Sequence, residues 1–215
     1  MRTVAVFARW PEAGRVKTRL FAALPAAQAL VLYRGMLADA ITAAERAAAE
    51  RRRVYWADEP PESSPPHRWE WRAQRGADLG ARLDAASTEL LRDSGDRVVI
   101  IGADCPELGA DVIHRAFDVL ERADVGVAPA RDGGYALIAL ARPVPLFDRI
   151  PWGTDEVLMR TLDRAREQGV TVEVLETFDD VDRPEDVVGL IARLAASRDG
   201  ATHTRVALRE LRLLP

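Results

Sequence analysis

The sequence predicts an α/β fold built on a largely parallel sheet, and three observations predict it. Short apolar runs alternate with longer amphipathic ones along most of the chain. The short runs are nearly continuous in apolar residues, as strands covered on both faces are. The longer runs place apolar residues three or four positions apart, the spacing of a helix with a core-facing stripe.

In chain order, "TVAVFA" (3–8) is a buried strand, followed by the polar loop "RWPEAGRVKTR". The Ala-rich stretch 26–52 carries Leu30, Tyr33, Leu37, Ile41 and Ala44, which predict a helix with one core face. "VYWAD" (54–58) is a second strand, and "EPPESSPP" (59–66) is a loop kept irregular by Pro and Ser. "WEWRA" (69–73) alternates, placing Trp69 and Trp71 on one face of a third strand. A helix follows over 79–93, then "RVVIIG" (97–102), the most apolar strand and so a central one. Residues 109–123 are a helix, while 124–130 and 135–140 are adjacent strands joined by "RDGG", read as a hairpin or an antiparallel strand. The helix 154–169 stops at Gly169, 170–177 is a strand, and 183–197 is a helix with Pro184 in its first turn. One domain over 1–198 accounts for these elements, leaving a tail, 199–215, unassigned.

Composition excludes several classes. The chain has 215 residues, 48% apolar and 30% charged, ordinary for a globular protein. No apolar run reaches the ~18–20 residues that span a bilayer, and no signal-peptide pattern opens the chain, so a cytoplasmic location is expected. The single cysteine, Cys105, fits a reducing compartment. His67, His114 and His203 are scattered, against a His-rich zinc site. A net charge of −4 argues against nucleic acid as a partner. All but one of the 30 basic residues are Arg; the exception is Lys17.

In open α/β sheets, ligands bind beyond the carboxyl ends of the strands. The segments 9–19, 74–82, 131–134 and 178–183, with Asp104, are expected to converge there. Arg9, Arg15, Lys17 and Arg19 face one acid, Glu12, around the flexible Gly14. Such a loop offers cations and backbone N–H groups to phosphates, or is a solvated basic loop. The spacing is not that of a Walker A loop. Asp104, in "GADCPEL", suits Mg²⁺ or Mn²⁺, which take one or two carboxylates and complete their shell with water and phosphate, unless it caps the helix near 109. Asp179, Asp180 and Asp182 crowd before a helix. Asp182 is a second metal ligand, or an N-cap with Glu185 completing a capping box. In "QRGADLGARL", Gln74, Gly76, Asp78, Gly80 and Arg82 form a turn that could read a base edge, or one in which Asp78 simply caps the helix. Asp132, Gly133, Gly134 and Tyr135 would serve an acceptor side or a plain hairpin turn. Trp152 is a stacking wall or core, and Thr154 or Asp155 caps the next helix.

Taken in order, "FARWPEAGRVKTRL", "QRGADLGAR", "GADCPEL", "DGGY" and "WGT" resemble the GT-A-fold nucleotide-diphospho-sugar transferase superfamily, in particular a bacterial glycosyltransferase-like (DUF2064-like) branch. The likeness covers residues 3–195, with Arg9 where the pattern usually has Lys. The branch is distant kin of the molybdenum-cofactor and phospholactate guanylyltransferases. The resemblance implies a single-domain, Rossmann-like three-layer sandwich. It also implies Lys17 and Arg19 on phosphates, Asp104 on a metal, and "DGGY" on the acceptor side.

These readings lead to a metal-dependent transferase with a nucleotide or nucleotide-sugar donor and a small-molecule acceptor. In nucleotidyl transfer the acceptor is already an anion; in glycosyl transfer Asp132 is the candidate base. A non-catalytic nucleotide-binding domain of the same fold is the alternative. Oligomeric state stays open.

Overall fold

The computed structural model describes residues 1–57, 69–197 and 199–215. The expected loop at 59–66 and the end of the expected strand at Asp58 lie outside the described residues. Seven strands form one sheet in the order β3-β2-β1-β4-β6-β5-β7: β1 Arg2–Ala8, β2 Arg51–Trp56, β3 Glu70–Ala73, β4 Arg97–Gly102, β5 Val125–Pro129, β6 Tyr135–Leu140 and β7 Val172–Val174. The helices are α1 Ala26–Arg46, α2 Leu79–Leu90, α3 Ala110–Val119, α4 Val157–Glu167, α5 Pro184–Ala196 and α6 Thr202–Glu210. β4 is central, as its apolar run predicts. Only β6 runs against its neighbours, β4 and β5, so the antiparallel reading of 135–140 holds.

The sheet separates two core layers. Val4, Val6, Val99 and Ile101 pack with α1 and α3 on one face; Ala5, Tyr55, Val98 and Ile100 pack with α2 and α4 on the other. This alternation follows from the two-residue side-chain period of each strand.

Several boundaries and one face differ from the sequence reading. The helix expected over 26–52 stops at Arg46, and β2 starts at Arg51, three residues early. Charged "RRR" conceals this junction. Arg52 folds back to donate to the carbonyls of Ala44 (2.8 Å), Glu45 (3.2 Å) and Ala47 (2.7 Å), satisfying the end of α1. Arg53 is buried between Glu70 and Glu89, with N···O distances of 2.9 and 2.7 Å. β7 pairs over only three residues. β3 is an edge strand whose Trp71 stays 38% exposed.

α1 buries two faces rather than one. Its second face, Ala29, Leu32 and Met36, packs with α5 and with the tail, whose residues form α6. A Cβ on Gly35 would come within 2.9 Å of the Ala207 side chain, so the glycine permits the close crossing. Buried Asp39 accepts from the His203 and Thr204 N–H groups at 2.9 and 2.8 Å, capping α6 from a neighbouring helix. Among the described residues no helix is long and apolar enough to cross a membrane.

Candidate active site

β1, β2 and β4 all end at the same edge of the sheet, and antiparallel β6 begins there. A cavity of about 420 Å³ opens at this edge, and Arg9, Lys17, Gln74, Arg82, Asp104, Tyr135 and Asp182 help line it.

The loop after β1 is held from beneath. The Tyr33 hydroxyl accepts from Arg9 N–H and donates to Arg9 O, both at 2.9 Å, while Trp10 meets Trp56 edge-on at 5.2 Å. Val16 and Leu20 anchor the far end in the core. Between them Lys17 adopts a left-handed conformation (φ 50°, ψ 40°), uncommon for a side-chain-bearing residue. That turn carries its side chain inward, leaving it 4% exposed, with Nζ 2.7 Å from Asp104 and 3.6 Å from Asp182. Burial alone would lower the ammonium pKa; Asp104 and then Asp182 outweigh it, and the net shift is upward. Lys17 is therefore a charged group at neutral pH.

The three acids before α5 separate. Asp179 pairs with Arg131 at 2.6 Å and lies 3.7 Å from Arg193. Asp182 pairs with Arg19 at 2.5 Å and faces Lys17. Asp180 is pushed up to about 6, first by burial and then by the charge of Asp132. The sequence presents Asp180 only as one of a crowd; its approach to Asp132 depends on β5 and the 178–183 segment lying side by side. Arg131 N–H donates to Phe178 O, and Val181 N–H donates to Asp104 O, both at 2.9 Å, drawing these segments to the end of β4.

Two capping assignments are corrected. Asp182 is not the N-cap of α5: the cap is Arg183, and Asp186, not Glu185, is the acid that accepts from both Asp182 and Arg183 N–H. Pro184 sets the helix start one residue later, which releases the Asp182 side chain toward the cavity. At α4 the N-cap is Glu156 rather than Thr154 or Asp155. The Thr154 hydroxyl instead donates to Pro151 O at 2.8 Å in the preceding turn. Asp104 caps nothing, since α3 begins from Gly109 without a side-chain cap.

Other expected residues distribute as follows. The Gln74 amide donates to Tyr55 O at 2.9 Å, bridging the strand ends and leaving its oxygen as an acceptor. Asp78 caps α2 by accepting from Ala81 N–H at 2.8 Å. Arg82 donates to Gly76 O at 3.2 Å. Arg15 turns outward to Glu12 at 3.2 Å, and neither it nor Gly14 lines the cavity. Gly80 lies under Trp152, which packs edge-on to Tyr135 at 6.2 Å in the core rather than lining the cavity. Asp132 accepts from Gly134 N–H at 2.8 Å in a tight turn. Gly133 has φ 93°, and a Cβ there would sit 2.2 Å from the Asp155 carbonyl oxygen, so glycine is required. Cys105 is buried, and burial pushes its thiol well up, which makes it packing rather than a nucleophile.

The carboxyl edge of a mostly parallel sheet thus gathers a buried ammonium, carboxylates and a cavity. The chain belongs to the family described as an uncharacterized protein conserved in bacteria (DUF2064), whose model matches residues 22–154. It is 30% identical to a protein of Desulfovibrio desulfuricans G20 assigned by inference as a nucleotide-diphospho-sugar transferase. That structure superposes with a TM-score of 0.88, covering 98% of this chain and 95% of the other. It is 34% identical over 130 residues to the 2-phospho-L-lactate guanylyltransferase of Methanopyrus kandleri, covering 58% of this chain and 64% of that enzyme. With the enzyme of the same name from Methanothermobacter thermautotrophicus, identity is 33% over 138 residues, covering 63% of this chain and 57% of the enzyme. The match thus spans less than two thirds of either curated relative.

Proposed function

We propose that the chain transfers a nucleotidyl group from a nucleoside triphosphate to a small anionic acceptor. The observation that carries this reading is the Lys17 ammonium, buried at the cavity wall between Asp104 and Asp182 with Arg19 beside them. An acceptor oxyanion attacks the α-phosphorus, the bond to the β-phosphate oxygen breaks, and pyrophosphate leaves. Lys17 and Arg19 would neutralise the charge that grows on the leaving group. The acceptor needs no base because it arrives deprotonated. The similarity to two guanylyltransferases supports this chemistry and suggests GTP among the donors to test first.

The donor set suits Mg²⁺ or Mn²⁺. Asp104 and Asp182 already converge on one cation, the Lys17 ammonium. Two carboxylates completed by phosphate oxygens and water is the usual arrangement for Mg²⁺. When bound, the ion would polarise the donor phosphates. Asp104 and Asp182 would hold it, while Lys17 keeps both acids oriented.

Glycosyl transfer is the second reading, favoured by the likeness over nearly the whole chain to the Desulfovibrio protein. Here a nucleoside diphosphate leaves a sugar carbon, and Asp132 is the candidate base. The experiment that separates the two incubates the protein and Mg²⁺ or Mn²⁺ with triphosphates or nucleotide sugars across an acceptor panel. Pyrophosphate release supports nucleotidyl transfer, and diphosphate release supports glycosyl transfer. Neither product from any donor overturns both.

A further inference from the structure

A second cavity, of about 520 Å³, lies between α2 and the β2–β3 edge. Arg72, Arg75, Arg82 and Arg92 line it with a single acid, Glu89. Glu89 is already held by Arg53 at 2.7 Å and by Arg72 at 3.4 Å. Arg75, Arg82 and Arg92 pair with no carboxylate among the described residues. The α2 positions facing this space include Ala85 and Ala86, whose short side chains keep it open. Tyr55 also lines the cavity. It is 2% exposed, and its hydroxyl lies against Arg53 and Glu89. Burial also pushes the phenol pKa up, which keeps the proton on the oxygen.

We propose that this groove is a second anion site, distinct from the cavity at the carboxyl edge, that takes a small phosphate-bearing ligand. The planar guanidinium groups of Arg75, Arg82 and Arg92 suit phosphate oxygens. A cavity of this volume fits a small molecule. Arg82 lines both cavities, so ligand held in the groove bears directly on a wall of the candidate active site. The ligand is either a free phosphate species such as pyrophosphate or a phosphorylated organic molecule. The inference does not depend on which transfer reaction the other cavity performs.

The test titrates the whole protein calorimetrically with inorganic phosphate, pyrophosphate and 3-phosphoglycerate. Binding of at least one probe is expected, weakened at least tenfold in the double variant Arg75→Gln, Arg92→Gln. Arg19→Gln, beside Asp182 at the carboxyl edge, should leave that affinity within twofold. Both arginines of the double variant are exposed, and its thermal midpoint should match that of the parent. Preference for phosphate or pyrophosphate identifies a free phosphate ligand; preference for phosphoglycerate identifies a phosphorylated organic one. No binding of any probe at millimolar concentration overturns the proposal. So does affinity unchanged in the double variant, or affinity lost only with Arg19→Gln.

Discussion

The two edges of the sheet use the same residue types to opposite effect. At the amino edge, acids are satisfied and their pKa values fall. Asp124 binds Arg142 at 2.7 Å and accepts from Thr171 N–H and Oγ1–H, both at 3.0 Å, which brings it to about 2. Asp96 accepts from Asp93 N–H at 3.0 Å, and its pKa is lowered chiefly by that bond. At the carboxyl edge Asp179 is lowered in the same way by Arg131, but Asp180 is driven up to about 6, Lys17 is buried in a left-handed turn, and Asp104 and Asp182 share it across a cavity. Charge burial alone therefore does not mark the site. Groups held short of full satisfaction beside open space do, and the strained backbone of Lys17 marks the same place.

The sharpest way to break this comparison is to neutralise one acid at the carboxyl edge. Asp104→Asn should lower product release by about 10²–10³-fold, the cost of losing a preorganised charged group at a reacting phosphate. Its unfolding midpoint in urea should fall as well, because the buried Lys17 ammonium loses its nearest counter-charge, so the rate is compared per folded molecule. A variant that keeps its rate places the chemistry elsewhere. Arg19→Gln, one step further out, should cost about tenfold, expressed in kcat as well as in KM for the donor, since its exposed guanidinium shares the leaving-group charge with Lys17.

A control remote from both edges separates folding from chemistry. Asp39→Ala strands the His203 and Thr204 N–H groups at the start of α6 and should destabilise the protein by about 2 kcal/mol in urea unfolding. The folded fraction should turn over at the parent rate. Loss of activity per folded molecule would mean that the α1–α6 buttress shapes the carboxyl edge, and the contrast between edges would then lose its force.

How much of this was legible in the sequence depends on the range of the determinant. The element order, central β4 and antiparallel β6 follow from local periodicity, and Arg9, Lys17, Gln74, Arg82, Asp104 and Asp182 reach one cavity because strand ends in a parallel sheet must. The fates of Asp179, Asp180 and Asp182 were not legible. They differ by which distant partner each meets: Arg131 and Arg193, Asp132, or Arg19 and Lys17. The start of β2 was hidden because Arg52 and Arg53 look like a solvated helix end, while one folds onto helix carbonyls and the other is buried between glutamates. The second face of α1 was hidden because Gly35 and Asp39 gain their meaning only from α6.

The smallest effect tests the amino edge itself. Asp124 is 23% exposed and its pKa falls from 3.8 to about 2 on folding, so the paired carboxylate contributes about 1–2 kcal/mol at neutral pH after allowance for solvent around Arg142. That contribution is present above pH 3.8, where folded and unfolded chains are both ionised. As pH falls below this value the unfolded chain takes up the proton first, and the contribution is lost by the time pH reaches about 2. Asp124→Asn should therefore be less stable than the parent by that amount at pH 7, with the gap closing between pH 4 and pH 2, while product release at pH 7 stays within twofold. A gap that persisted at pH 2 would mean that Asn fails on hydrogen-bond geometry with Thr171 rather than on charge. The amino edge would then be held by shape, and the difference between the two edges would no longer be one of electrostatics.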